Sequence, residues 1–425
     1  MILLFETLVI VLYMFSGKLG FGSMLLFSGY YLFVQRKTNN TYVSLGLMIL
    51  SLPLAYSGLL GFEMHQLYSW YNIYLLLFVF TIIRNNNLKI RIAPTAIIGL
   101  LLINLPMIIN LSFSEDLGSS IVEIIQINIM IIPIIITHYN KTIIVQNEIE
   151  YRLLFKMYSD VCVSTSIGMI IQFAFYNFLG RSIGMLHFSG AGRVSYYCMF
   201  RGASILPIFM GVGFLCIIIN ILYYEVKLFE IIKAISIFTA MVLNSSRAGL
   251  AMMLISIVLI ILKRNHKGLK LKTIIFFAGF IVAGIIGINY VMSTRAGLNN
   301  FLDENGRSTT LVNGINIWLA TPKNILLGEG FVGGRWTGIT KTHNVLIQTL
   351  AQCGIIVTAI AFFMIGKILL TTRKSIYFEI LLYILLTGML VTDFYANAFT
   401  TVFFIIIDVG INNKKMKINE VTSYG

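Results

Sequence analysis

Apolar stretches of bilayer-spanning length follow one another through most of the chain, at roughly 2–16, 19–34, 41–62, 67–83, 92–113, 118–137, 153–178, 202–224, 226–243, 248–262, 273–290, 345–370, 376–393 and 396–411. A run of that length and apolarity, closed at each end by a short polar link, predicts a membrane-spanning helix. The pattern gives an all-α chain, a polytopic transmembrane helical bundle of about fourteen spans, or about twelve if the short first two are discounted. One segment departs from it. From Ser293 to Asn344 no window is apolar enough to cross, although the windows on both sides are. Within that segment the spacing of Leu311, Ile315, Trp318 and Leu319 predicts an amphipathic helix, capped by Ser308, stopped by Pro322 and suited to lying flat on a membrane surface. A glycine-rich passage, Gly328-Glu329-Gly330-Phe331-Val332-Gly333-Gly334, then leads into Arg335-Trp336. No repeat, low-complexity tract or soluble domain interrupts the helices. The span 1–425 therefore reads as one polytopic domain with a long loop over 291–344 and a smaller one over 179–201.

With 58% hydrophobic and 11% charged residues and a mean hydropathy of +0.87, the chain has too few polar side chains to cover a soluble globule of 425 residues. A net charge of +14 would suit nucleic acid in a soluble protein. Here it follows the bias that keeps lysine and arginine on the cytoplasmic side, and nucleic acid is not an expected partner. The basic links Arg36-Lys37, Arg84 to Arg91, Lys141 to Arg152, Lys263 to Lys272, Arg373-Lys374 and Lys414 to Lys417 all fall on one side of the alternation. That side is read as the cytoplasm, which puts both termini inside and the two loops outside. Cys162, Cys198, Cys216 and Cys353 are scattered, without a CxxC pair or a histidine at ligand spacing. This argues against a metal site and a disulfide framework, and no cofactor is expected. The apolar N-terminus carries Glu6 and lacks a basic leader, so a first span is expected rather than a cleaved signal.

About 10 of the 31 lysines and arginines remain outside, mostly as arginine. Three helices that descend from the outside begin beside a basic residue: after Arg201-Gly-Ala-Ser204, at Asn244-Ser-Ser-Arg247, and at Thr342-His343-Asn344. Each start has a hydroxyl or amide residue able to cap it. Helix N-termini present unpaired amides and partial positive charge, so three of them beside cations would form an anion pocket that suits phosphate or pyrophosphate. The plainer reading makes such residues interfacial anchors, and Arg181, Arg295 and Lys323 are read that way; Trp336 fits an aromatic belt. Arg247 resists it, because it follows two capping serines and precedes Ala248-Gly249 on the side where positive charge is disfavoured. Asp160, Glu123, Glu379, Asp393 and Asp408 fall inside predicted spans and would mark a transport path if aligned. Lys156 and Asp160, four residues apart, are expected to neutralise each other.

Asn244-Ser-Ser-Arg-Ala-Gly-Leu250, then Arg307 leading an amphipathic helix, then Thr321-Pro-Lys-Asn-Ile-Leu-Leu-Gly-Glu-Gly330, then His343-Asn-Val-Leu-Ile-Gln-Thr-Leu350 and Gly354 follow in an order and spacing that resembles the O-antigen polymerase and O-antigen ligase superfamily. The similarity covers roughly Arg193 to Val357. It implies a GT-C-like glycosyltransferase of the bacterial inner membrane, metal-independent, with its site on the periplasmic or outer face and its donor a glycan on undecaprenyl pyrophosphate. The family's serine-arginine motif falls on Arg247, its loop histidine on His343, and a further arginine on Arg193 in Gly192-Arg-Val-Ser195. Where members often have a glycine three residues later this chain has Tyr196, which leaves Arg201 as a competitor. The resemblance implies a polysaccharide polymerase for O-antigen or capsule, with Arg247 and His343 catalytic and Arg193, Arg201, Ser246, Arg307, Arg335 and Asn344 around the pyrophosphate and glycan. Its partners would be the lipid-linked donor and acceptor, membrane lipids and a chain-length regulator. Ligation of the glycan to lipid A-core, or transport of lipid-linked sugars, are the alternatives.

Overall fold

The computed structural model describes residues 2–61, 68–114, 116–140, 144, 148–188, 194–200, 206–223, 227–244, 247–264, 271–293, 307–330, 344–373, 378–389 and 397–412, with backbone alone at 148, 223, 247–248, 263–264, 271–277, 290–293, 307–308 and 411–412. These residues are mostly helical: α1 (Ile2–Phe15), α2 (Gly17–Val34), α3 (Asn40–Leu50), α4 (Trp70–Asn85), α5 (Pro94–Leu111), α6 (Leu117–Tyr139), α7 (Glu148–Leu179), α8 (Leu206–Tyr223), α9 (Leu228–Asn244), α10 (Arg247–Arg264), α11 (Leu271–Ser293), α12 (Arg307–Leu319), α13 (Pro322–Leu327), α14 (Val345–Thr372), α15 (Phe378–Gly388) and α16 (Ala398–Asn412). Among the described residues four stretches are long and apolar enough to cross a membrane, namely Pro94–Leu111, Leu117–Tyr139, Ile149–Leu179 and Val345–Thr372; Ile2–Phe15, Asn40–Leu50, Leu206–Leu222, Gly249–Leu262, Ala278–Asn289, Phe378–Gly388 and Ala398–Gly410 are shorter apolar stretches. The third window illustrates why. α3 ends at Leu50 and passes into a 3-10 turn over Leu52–Leu54 around Pro53, whose missing amide and fixed φ do not suit a continuing helix.

The fold divides into two compact units, one of Met1–Ile90, Ile136–Gly297 and Val402–Gly425, the other of Arg91–Ile135 and Leu298–Thr401. In the first, α7 is the central post and packs against α1, α3, α8 and α9. In the second, α14 packs against α5, α12, α13 and α15, around a core of Ile103, Met107, Ile127, Cys353 and Val357.

The all-α expectation needs one correction. The smaller loop contains an antiparallel hairpin, β1 (Leu186–Phe188) with β2 (Val194–Tyr196), in which His187 faces Ser195. Strands of three residues leave no hydropathy signature; a side chain of α7 holds them instead. Gln172, fully buried, donates to the carbonyls of Ile183 at 2.7 Å and Met185 at 3.0 Å and accepts from the Cys198 amide at 3.0 Å. Tyr196 is buried, and its hydroxyl accepts from Asn177 at 2.7 Å, so it ties the hairpin to the end of α7.

The long loop also differs in detail from its sequence reading. α12 starts at Arg307, so Ser308 is its second residue and not its cap. Its most buried side chain is Ile317 at 6% exposure, while Leu319 is 53% exposed. The buried face is therefore turned away from Leu319 and packs on α14. Pro322 does more than stop it: with Thr321 as cap, accepting from the Asn324 amide, it opens α13.

Candidate functional site

The residues after α13 dock into a break in α14. Gly354, inside that helix, has φ +72° and ψ −178°, a conformation open essentially to glycine alone. A turn of this kind takes carbonyls out of the intrahelical ladder, and buried carbonyls need donors. Two are supplied from outside the helix: the Glu329 amide donates to Ala351 O at 2.8 Å and the Gly330 amide to Gln352 O at 3.1 Å. The approach is close on both sides. A Cβ on Gly354 would lie 2.3 Å from Leu326 O, and a Cβ on Gly328, itself at φ +80°, would lie 2.3 Å from Gln352 O.

Side chains lock the hairpin that delivers this segment. Asn324 is buried and donates to Ile317 O at 2.9 Å and to the Glu329 carboxylate. Trp318 Nε1 donates to Ile325 O at 3.2 Å, and Asn110 at the end of α5 donates to Leu327 O at 2.5 Å. The Lys323 ammonium stands 4.5 Å from the centre of the Phe113 ring. Partial burial draws its pKa below the ordinary lysine value, and the Glu329 carboxylate opposes that shift. Asn110, Phe113 and α13 lie together at one end of this unit. The half of α14 below the break, some 18 residues, is about 27 Å long, close to the thickness of a hydrocarbon core. The half above it, about nine residues and roughly 13 Å, rises from the joint to Asn344.

Asn344 caps that upper half: its side-chain Oδ1 accepts from the Ile347 amide at 3.1 Å and its Nδ2 donates to Met389 O at 3.0 Å. Of the other residues singled out in the sequence, Arg193, Arg201, Ser246, Arg335 and His343 lie outside the described residues. Arg247 and Arg307 are described by their backbones, as the first residues of α10 and α12. Arg247 belongs to the first unit, and Arg307 and Asn344 to the second. Sequence reasoning did not single out Asn324, Asn110 or the pairing of Gly328 with Gly354. The available signal was Thr321-Pro-Lys-Asn324, a capped helix start followed within a few residues by a Gly-x-Gly. Among the described residues no group of three or more His, Cys, Asp and Glu side chains gathers as a metal site. No protein-family model matches the chain, and no curated protein matches it.

Proposed function

We propose that the chain is a membrane glycosyltransferase that extends a polysaccharide, O-antigen or capsule, by moving the growing glycan from undecaprenyl pyrophosphate onto a lipid-linked repeat unit. The observation that carries this reading is the joint at α14. Two of the stretches behind the resemblance, Thr321 to Gly330 and His343 to Gly354, interlock through Gly328 and Gly354, so their order and spacing answer to one structural requirement.

In this reading the chain crosses the bacterial inner membrane about fourteen times, with both termini cytoplasmic and the reaction on the outer face. Contacts among helix ends and the links beside them favour that alternation. Ends read as inner meet each other: Asn85 donates to Thr41 at 2.7 Å, and His138 pairs with Asp408 at 2.7 Å. Ends read as outer do the same: Tyr13 donates to Leu59 O at 2.7 Å, and the Gly184 amide to Met14 O at 3.0 Å.

Arg247 and Arg307 each open a helix. A cation there is opposed by the helix dipole, so helix stability does not account for it, whereas a bound pyrophosphate turns the arrangement favourable. The acceptor hydroxyl oxygen attacks the anomeric carbon as the bond from that carbon to the pyrophosphate oxygen breaks, and the bonding pair leaves with the pyrophosphate. Charge grows on the leaving group, and Arg247, backed by Arg193 or Arg201 and by Arg307 or Arg335, stabilises it more in the transition state than before. His343, which precedes the Asn344 cap of α14 in the sequence, takes the acceptor proton. Asn344 caps the start of α14, Ser246 is assigned with it to the pyrophosphate and glycan, and no metal takes part.

A second reading, transport of a lipid-linked sugar, is favoured by one observation: Asp160 and Lys233 pair inside the first unit, in stretches read as spanning. Purified protein in vesicles with lipid-linked repeat units separates the possibilities. A ladder of lengthening glycans is expected. Product formed only when lipid A-core is supplied would indicate ligase, and lipid movement without a new glycosidic bond would indicate transporter.

A further inference from the structure

Glu6, Asp160, Glu230 and Lys233 of the first unit come together where α1, α7 and α9 pack. Lys233, 1% exposed, has its Nζ 2.6 Å from Asp160 Oδ1, a charge contact without hydrogen-bond alignment. It donates to Glu230 Oε1 at 3.2 Å and covers the Phe229 ring at 4.7 Å. The pairing corrects the expectation that Lys156 neutralises Asp160. Lys156 is exposed and acts on Asp160 only at a distance, because the partner from α9 is nearer and dry.

Glu6 of α1 lies within charge-interaction range of Asp160 and is 1% exposed. Neither of its carboxylate oxygens has a hydrogen-bond partner among the described residues. The neighbouring polar groups are already engaged: Thr7 donates to Leu3 O at 2.8 Å, and Ser164 of α7 donates to the same carbonyl at 3.4 Å. From α7 and α8 the cluster also faces Lys156, which is exposed, and Cys162 and Cys216, both buried. Ionised, Glu6, Asp160 and Glu230 carry three negative charges against the single charge of Lys233. An unpaired carboxylate in an apolar interior is strongly unfavourable, and a buried ionisable group inside a membrane protein points to function. One further positive charge, with Lys156 at the rim, brings the group to neutrality.

We propose that this cluster binds one monovalent cation, a proton or a sodium ion, with Glu6 as the holding group. The side chains of Asp160 and Glu230 are the more accessible members, at 15% and 11% exposure, and form the entry. Glu6 lies in the second turn of α1 and Lys233 in the second turn of α9, which on the topology above is the cytoplasmic half, away from the outer face.

The test is thermal unfolding of the full-length protein in lipid nanodiscs at constant ionic strength, wild type against Glu6→Gln, whose neutral amide imitates the loaded state. If the ion is a proton, the wild-type Tm falls relative to the variant as pH rises, by about 1 to 2 °C per unit, and sodium has no effect. If it is sodium, the wild-type Tm rises by about 1 to 2 °C per tenfold increase in sodium over choline, and the variant is flat. Identical responses of the two proteins to both titrations overturn the proposal. A measurement on wild type alone covers a variant that does not fold. With carbon-13-labelled glutamate, the infrared carbonyl band of a protonated acid at neutral pH supports the proton, and stoichiometric binding of radioactive sodium supports sodium. Absence of both overturns it.

Discussion

The two longest helices, α7 with 32 residues and α14 with 28, accommodate polar groups in opposite ways. α7 carries its polarity on side chains. Thr165 and Ser166 donate back to Val161 O at 3.0 Å and Cys162 O at 2.7 Å, Gln172 reaches the hairpin, and Asp160 pairs across to α9. α14 opens its backbone at Gly354, and the donors that fill the opening are amides of another segment, Glu329 and Gly330. Side-chain polarity can be removed one group at a time. The carbonyls freed at this break are matched by a second backbone, so one glycine ties the helix to the loop that docks on it.

The contrast can be broken at four places. The largest effect is expected from Lys233→Met, which leaves Asp160 and Glu230 buried without their counter-ion; chemical denaturation should show a loss of about 3–5 kcal/mol. Adding Asp160→Asn and Glu230→Gln should restore much of that loss. Next is Gly354→Ala, where positive φ and the approach of Leu326 O together oppose a side chain. A cost of about 2–3 kcal/mol is expected, with faster hydrogen exchange at the Glu329 and Gly330 amides. Unchanged protection there would mean that the loop docks without the break. Asn324→Leu removes donors to Ile317 O and Glu329 and should cost about 1–3 kcal/mol, read as a lower melting temperature. Asn344→Ala is the mildest, at about 1 kcal/mol. Asn344→Asp keeps the acceptor for Ile347 and loses only the bond to Met389 O. A collapse of turnover in the aspartate variant at unchanged stability would indicate that Asn344 also meets the substrate.

Helix positions were legible because hydropathy over a window reports apolarity, and a helix falls in every one of the windows read from the sequence. The same averaging hid the break: Gly354 is one of two glycines in the apolar run 345–370 and leaves the window mean almost unchanged, and its partner Gly328 lies in a different segment. The ion pair of Asp160 escaped for a related reason, since Lys156 is its neighbour along the helix while Lys233 is brought by packing. The paired strands 186–188 and 194–196 are tied to α7 by Gln172 and Asn177, which no local pattern marks. At the candidate site the sequence marked both interlocking stretches and the helix starts at Arg247 and Asn344, and it placed the start of α12 slightly late, with Ser308 as cap. What it could not mark was why the stretches belong together, because that lies in a contact between carbonyls and amides that every residue possesses.

Glycosyl transfer assisted by Arg247 is tested most directly by chain extension from lipid-linked repeat units, comparing wild type with Arg247→Lys in membranes that contain equal amounts of each. A guanidinium engages two phosphate oxygens at once, while lysine offers a point charge. The lysine variant should therefore insert normally yet extend chains roughly 30- to 1,000-fold more slowly, the equivalent of about 2–4 kcal/mol of transition-state stabilisation. Extension at the wild-type rate would make Arg247 an interfacial anchor and contradict the pyrophosphate clamp.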